Sequence, residues 1–172
     1  MLAICKAQSQ SLQQHLPKED ANFEDILNIT LAKGGTSVLA DMYIVDPVPT
    51  QGEELFSFAF GFALQVVDDI QDMEVDAKNE QQTIVTLSPD PRRVVRRLAH
   101  LMTLLLPGDT IAERGMRAMC MTMVFKQVAR VKHMFDDGFL QDCELLCPLP
   151  MTAMSKLKGM KTLLKMIKQD RI

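Results

Sequence analysis

Gly61-Phe-Ala-Leu-Gln65-Val-Val-Asp68-Asp69-Ile-Gln-Asp72 is the passage on which the reading of this chain turns. Its first half continues an apolar run containing Phe58, Phe60 and Phe62, and it ends in three aspartates. A helix that is apolar on nearly every side sits in the middle of its bundle, so a central helix is expected over residues 52–73. Helical periodicity places Gln65, Asp68 or Asp69, and Asp72 on one face. Asp76, four residues on, extends that stripe if the helix persists. Like charges at this spacing repel, and carboxylates at the end of a buried helix need a partner, because buried charge is costly unless paired or metal-bound. Mg²⁺ suits such a set, being a hard ion that takes one or two carboxylates and completes its shell with water and phosphate oxygens. The plainer alternative is an acidic helix end in solvent, the usual fate of a charge run. Phe58, Phe60, Phe62, Val66 and Val67 leave little solvated face just upstream to favour it.

Outward from that helix the pattern stays helical. The chain has 172 residues, enough for one domain with one core. It carries 13 Met and no Trp, and unbranched Met fills irregular gaps between helices. Strand-like alternation is scarce, so the fold class expected is all-α, with about six helices over residues 1–16, 22–44, 52–73, 91–106, 109–140 and 151–169. Asn22 and Asp109 are the expected caps, Pro91 a first helical residue, and Pro17, Asp46-Pro47 and Pro107-Gly108 the stops. Residues 74–91 read as a polar loop. Gly34-Gly35 falls inside the second helix, where two glycines cost roughly 2 kcal/mol relative to Ala. That cost implies either a kink or a close backbone approach.

Charge is unevenly placed. Residues 1–86 hold 4 Lys/Arg against 14 Asp/Glu, and residues 87–172 hold 15 against 8. The net charge of −3 is not that of a nucleic-acid-binding protein. Cys5, Cys120, Cys143 and Cys147 lack zinc spacing and read as small buried residues of a reducing compartment. No cationic leader and no span of ~20 apolar residues is present, so a cytoplasmic protein is expected. Nothing in the sequence around His15, His100 and His133 suggests a ligand set or a catalytic base. Arg92, Arg93, Arg96 and Arg97 could meet an anion but read first as an exposed basic face, and Asp136-Asp137 with Asp142 as a solvated helix end. Lys156, Lys158, Lys161, Lys165 and Lys168 line the last helix opposite Met154, Leu157, Leu164 and Ile167. That face has the composition for weak contact with an anionic membrane through 151–169, although packing on the bundle is the commoner use.

The spacing Gly61-x3-Gln65-x2-Asp68-Asp69-x2-Asp72 resembles the second aspartate-rich motif of the polyprenyl diphosphate synthases, a family of class I isoprenoid synthases. Leu64 stands where that family has Phe. Upstream, Ile29-Thr-Leu-Ala-Lys33-Gly-Gly-Thr-Ser resembles the helix bearing the family's diphosphate-binding Lys-Thr, with Gly34 in place of the threonine. Gln82-Thr83 resembles the following loop without its Gly-Lys pairs. The likeness covers residues 29–83 closely and the other helices only in pattern.

The resemblance implies an antiparallel helical bundle of the isoprenoid synthase type and Mg²⁺-dependent binding and ionisation of allylic isoprenoid diphosphates. Asp68, Asp69 and Asp72 would ligate the metal. Lys33 would contact the diphosphate, and Gln65 would orient the reacting region. The family also carries a first aspartate-rich motif well before the second. Only 67 residues precede Asp68 here, and Glu19-Asp20 and Glu24-Asp25 fall at a helix start, where the dipole favours acids as caps. The chain therefore reads as a single, incomplete domain matching the C-terminal half of such an enzyme, and as one expected to form a homo- or hetero-oligomer. A chain-elongating prenyltransferase fits the motif best. A terpene cyclase, or a non-catalytic helical subunit or remnant that binds a partner, stays open beside it. A di-iron bundle is excluded because no Glu has His three residues later.

Overall fold

The computed structural model describes residues 2–15, 22–107 and 110–146. Among them are six α-helices and no strand, so the chain is all-α. It divides into two compact units, Met1–Leu105 and Leu106–Ile172.

The first unit is built on a pair of long helices. Helix α1 (Leu2–Ser11) runs into a 3-10 turn at Leu12–His15 and packs on α2 (Phe23–Val45). Helix α2 starts as expected at Asn22, whose side-chain oxygen accepts from the Glu24 amide at 3.0 Å. Glu24 and Asp25 then lie in its first turn, where the helix dipole favours negative charge. Helix α3 (Gln51–Lys78) is opened by Thr50, which forms a reciprocal capping box with Glu53. Helix α4 (Pro91–Leu105) begins at a proline and packs on α3.

Gly34 and Gly35 do not break α2. They lie where α2 and α3 cross antiparallel. A Cβ at Gly34 would land on the Gly61 carbonyl oxygen and 2.8 Å from the Gln65 Cβ. A Cβ at Gly61 would land on the Gly34 carbonyl oxygen and 3.0 Å from the Val38 Cβ. The close approach was one of two outcomes the glycine pair implied, and it is the one found. Gly35 leaves room for the Phe58 ring on the same contact. At the closed end of the hairpin the Tyr43 hydroxyl donates to a Glu54 carboxylate oxygen.

Three boundaries differ from expectation. Helix α3 continues to Lys78 rather than stopping near residue 73, because no breaker occurs before Asn79. This carries Asp76 onto the helix. The fifth helix, expected to reach residue 140, is α5 (Ile111–Arg130), followed by a 3-10 turn at Lys132–Met134 and a separate α6 (Asp137–Leu146). Asp136 turns its carboxylate onto the Phe139 amide at 2.8 Å and so caps the new helix. Asp136 and Asp137 are solvated as expected, but at the start of a helix rather than at the end of one. The expected cap Asp109 and the helix expected over residues 151–169 lie outside the described residues.

In the second unit α5 buries Cys120, Met121, Val124, Phe125 and Val128, and α6 buries Phe139 and Cys143. The rings of Phe135 and Phe139 lie tilted against each other with centroids 5.0 Å apart. Cys120 and Cys143 are buried as expected, but Cys5 is exposed, and all three are free thiols. Cys147 lies outside the described residues. No helix among them is long and apolar enough to cross a membrane.

Candidate functional site

The acidic stripe of α3 is positioned by the glycine crossing. Because Gly34 touches Gln65, the adjacent Lys33 of α2 is brought to the level of Gln65 and of Asp69, one turn on. Lys33 is half-buried, and its ammonium charge acts favourably on both Asp69 and Asp76. Lys33, Gln65 and the aspartates, picked from sequence, therefore do converge on one face of the hairpin.

The aspartates are not equivalent. Asp68 is exposed and Asp72 half-buried, whereas Asp69 is only 5 % and Asp76 7 % exposed. The Gln65 side-chain amide donates to Asp69 Oδ1 at 3.0 Å. The other oxygen, Asp69 Oδ2, is buried and has no hydrogen-bond partner. Its carboxyl is pushed up to about 7, first by burial, with the Asp76 and Asp68 charges adding to it. The Gln65 hydrogen bond and Lys33 work in the opposite direction without cancelling it. Asp76 is pushed up to about 6 by burial and by the Asp72 and Asp68 charges, again opposed by Lys33. One lysine thus faces several carboxylates, and the face holds more negative charge than it neutralises.

Among the described residues no group of three or more His, Cys, Asp or Glu side chains is placed so that it could hold a metal ion. Mg²⁺ rarely needs such a group, since it binds through one or two carboxylates and takes its remaining ligands from water and substrate phosphate. The hard oxygen donors, the orphaned Asp69 Oδ2 and the surplus negative charge fit such an ion. Asp68, exposed, and Asp72, half-buried, lie one helical turn apart and would be the pair to hold it.

The loop after α3 does not join this face. Thr83, whose setting resembles the family's loop threonine, is 1 % exposed, and its hydroxyl accepts from the Thr86 amide at 3.2 Å. Its own amide donates to Thr86 Oγ1 at 2.8 Å. The Gln82 amide donates to the Gln14 carbonyl at 2.7 Å, which fastens the loop to the turn that ends α1. These groups hold the loop together and leave no free hydroxyl for a ligand. Asp76 is the residue a helix stopping at 73 would leave out. The unbroken run Glu74-Val-Asp-Ala-Lys78 was the signal for it.

Comparison with protein-family models, with curated proteins and with solved structures finds no match to this chain.

Proposed function

We propose that the α2–α3 hairpin binds an allylic isoprenoid diphosphate together with Mg²⁺, as the half-site of a polyprenyl diphosphate synthase-like prenyltransferase. The observation that carries this reading is Asp69: a carboxyl buried to 5 % exposure, with one oxygen unpartnered, on a helix face that also bears Asp68, Asp72 and Asp76. A buried carboxylate short of a partner destabilises the fold, and a cation at this face would relieve that. Asp68 and Asp72 would hold the ion. Lys33, a point charge on a flexible stem, would meet diphosphate oxygens. Gln65 would keep Asp69 oriented through the hydrogen bond it already makes. When bound, Mg²⁺ would neutralise the charge that builds on a departing diphosphate.

A second reading is a non-catalytic helical subunit of a larger assembly. The exposed apolar side chains of Ile44, Val45, Val48 and Leu55 at the closed end of the hairpin, which a partner would cover, favour it. The two readings separate in a calorimetric titration of inorganic pyrophosphate with and without Mg²⁺. The half-site reading expects binding that needs Mg²⁺ and is weakened at least tenfold in Asp68→Ala/Asp72→Ala and several-fold in Lys33→Ala. Absence of binding by the folded native chain would reject it and leave the subunit.

A further inference from the structure

The first unit also contains a cavity that the carboxylate face does not use. It measures about 250 Å³ and lies between α2, α3, α4 and the loop that joins the last two. Phe62 and Val66 of α3, Leu27 of α2, and Leu98 and Leu101 of α4 form most of its wall, with Phe23 at the α2 end. Val66, Ile84 and Leu98 are buried, while Phe23 is 42 % exposed and lies on the open side. The wall bears one charged side chain, Arg97. Helical periodicity puts Arg97 beside Val94 and Leu101 on α4, at the edge of the apolar wall rather than behind it. Its neighbour Arg93 faces Asp90 at 3.6 Å, and Arg92 donates to Asp90 at 2.7 Å. Arg97 makes no hydrogen bond or ion pair among the described residues.

An apolar chamber with one uncompensated guanidinium at its rim selects a particular kind of guest. Its size is a little under the roughly 300–1,000 Å³ of ordinary small-molecule pockets. The apolar wall offers nothing to a sugar or a nucleoside. The guanidinium offers a planar, permanently charged fork that matches a carboxylate or phosphate. We propose that this cavity binds a small amphipathic anion, its short hydrocarbon body against Val66 and Leu98 and its carboxylate or phosphate head on Arg97. The site shares no side chain with the aspartate face, so it stands or falls separately from the function proposed above.

The test is a titration of the isotope-labelled full chain with hexanoate, octanoate and octyl phosphate, followed by backbone amide shifts in NMR. Octanol and octylamine serve as uncharged and cationic controls. The expected result is shifts gathered around Leu27, Val66, Ile84 and Leu98, with affinity rising roughly fourfold per methylene from the hydrophobic contribution of each group. Octanoate should bind several-fold more tightly than octanol, and octylamine least. Arg97→Ala should remove that preference while leaving the helical circular dichroism unchanged, and Arg97→Lys should restore part of it. Leu101→Phe, which fills the chamber from a half-buried position, should abolish binding. Octanol matching octanoate, or Arg97→Ala leaving the preference intact, would overturn the assignment. So would scattered shifts, or no binding at millimolar ligand, the result expected if another segment of chain occupies the chamber.

Discussion

Helices α3 and α5 are both long and both bury one face, yet they bury different things. The polar groups that α5 takes inside include Thr122, which satisfies itself locally by donating to the Ala118 carbonyl at 2.7 Å. Helix α3 takes in Asp69 and Asp76, and one oxygen of Asp69 finds no partner. Glycine differs in the same direction. Gly61 of α3 lies against the backbone of α2, while a Cβ on Gly115 of α5 would meet nothing within 4 Å. Helix α5 reads as packing alone. Helix α3 carries features that packing does not require: an unrelieved carboxylate and a crossing tight enough to bring Lys33 alongside it.

Substitutions at matched positions should widen or collapse that contrast. The largest effect is expected at the crossing. Gly61→Val would force α2 and α3 apart, with a loss of about 4 kcal/mol or more and of the cooperative transition itself, well above ordinary overpacking. Denaturant unfolding followed by circular dichroism would show it, and a mild loss would mean the helices can slide.

Asp69→Asn should act in the opposite direction. A carboxyl raised to about 7 in the folded state, against 3.8 when unfolded, leaves the folded chain holding more protons between those values. Stability is therefore intact below about pH 4 and falls as pH rises through 7, by up to about 4 kcal/mol. Asp76, raised to about 6, adds a smaller loss of the same sign. Asp69→Asn should recover most of the deficit at pH 8 and almost none at pH 4. Equal unfolding midpoints for native and variant at pH 8 would mean that the buried charge is already compensated.

Smaller effects frame the two helices. Thr50→Ala removes the capping box of α3 and should cost about 1 kcal/mol. Gly115→Ala on α5 has open space around it and should stabilise by about 0.5–1 kcal/mol. A loss at Gly115 comparable to that at Gly61 would erase the distinction between the helices.

Helical class, the Asn22 cap and the Pro91 start were legible because each rests on local chemistry or periodicity, whereas Lys33 and Gln65 were linked only through the family resemblance. The continuation of α3 is masked by the polarity of residues 74–78, which reads as loop although no breaker occurs before Asn79. The break after Arg130 was missed because Asp136 competes for a backbone amide only once the chain has turned. The unequal burial of Asp68 and Asp69 was not readable either. Adjacent residues on a helix lie 100° apart, and which of the two faces inward depends on the rotation of α3 against α2, set by the Gly34–Gly61 contact.

The measurement that tests the account most directly is the titration of the Asp69 side-chain carbon by ¹³C NMR, alone and with Mg²⁺ and pyrophosphate. The account expects a midpoint near 7 in the free protein, moving down toward the ordinary carboxylate range when both are added, and not moving in Asp68→Ala/Asp72→Ala. A midpoint near 4 in the free protein, or one that Mg²⁺ and pyrophosphate leave in place, would contradict it.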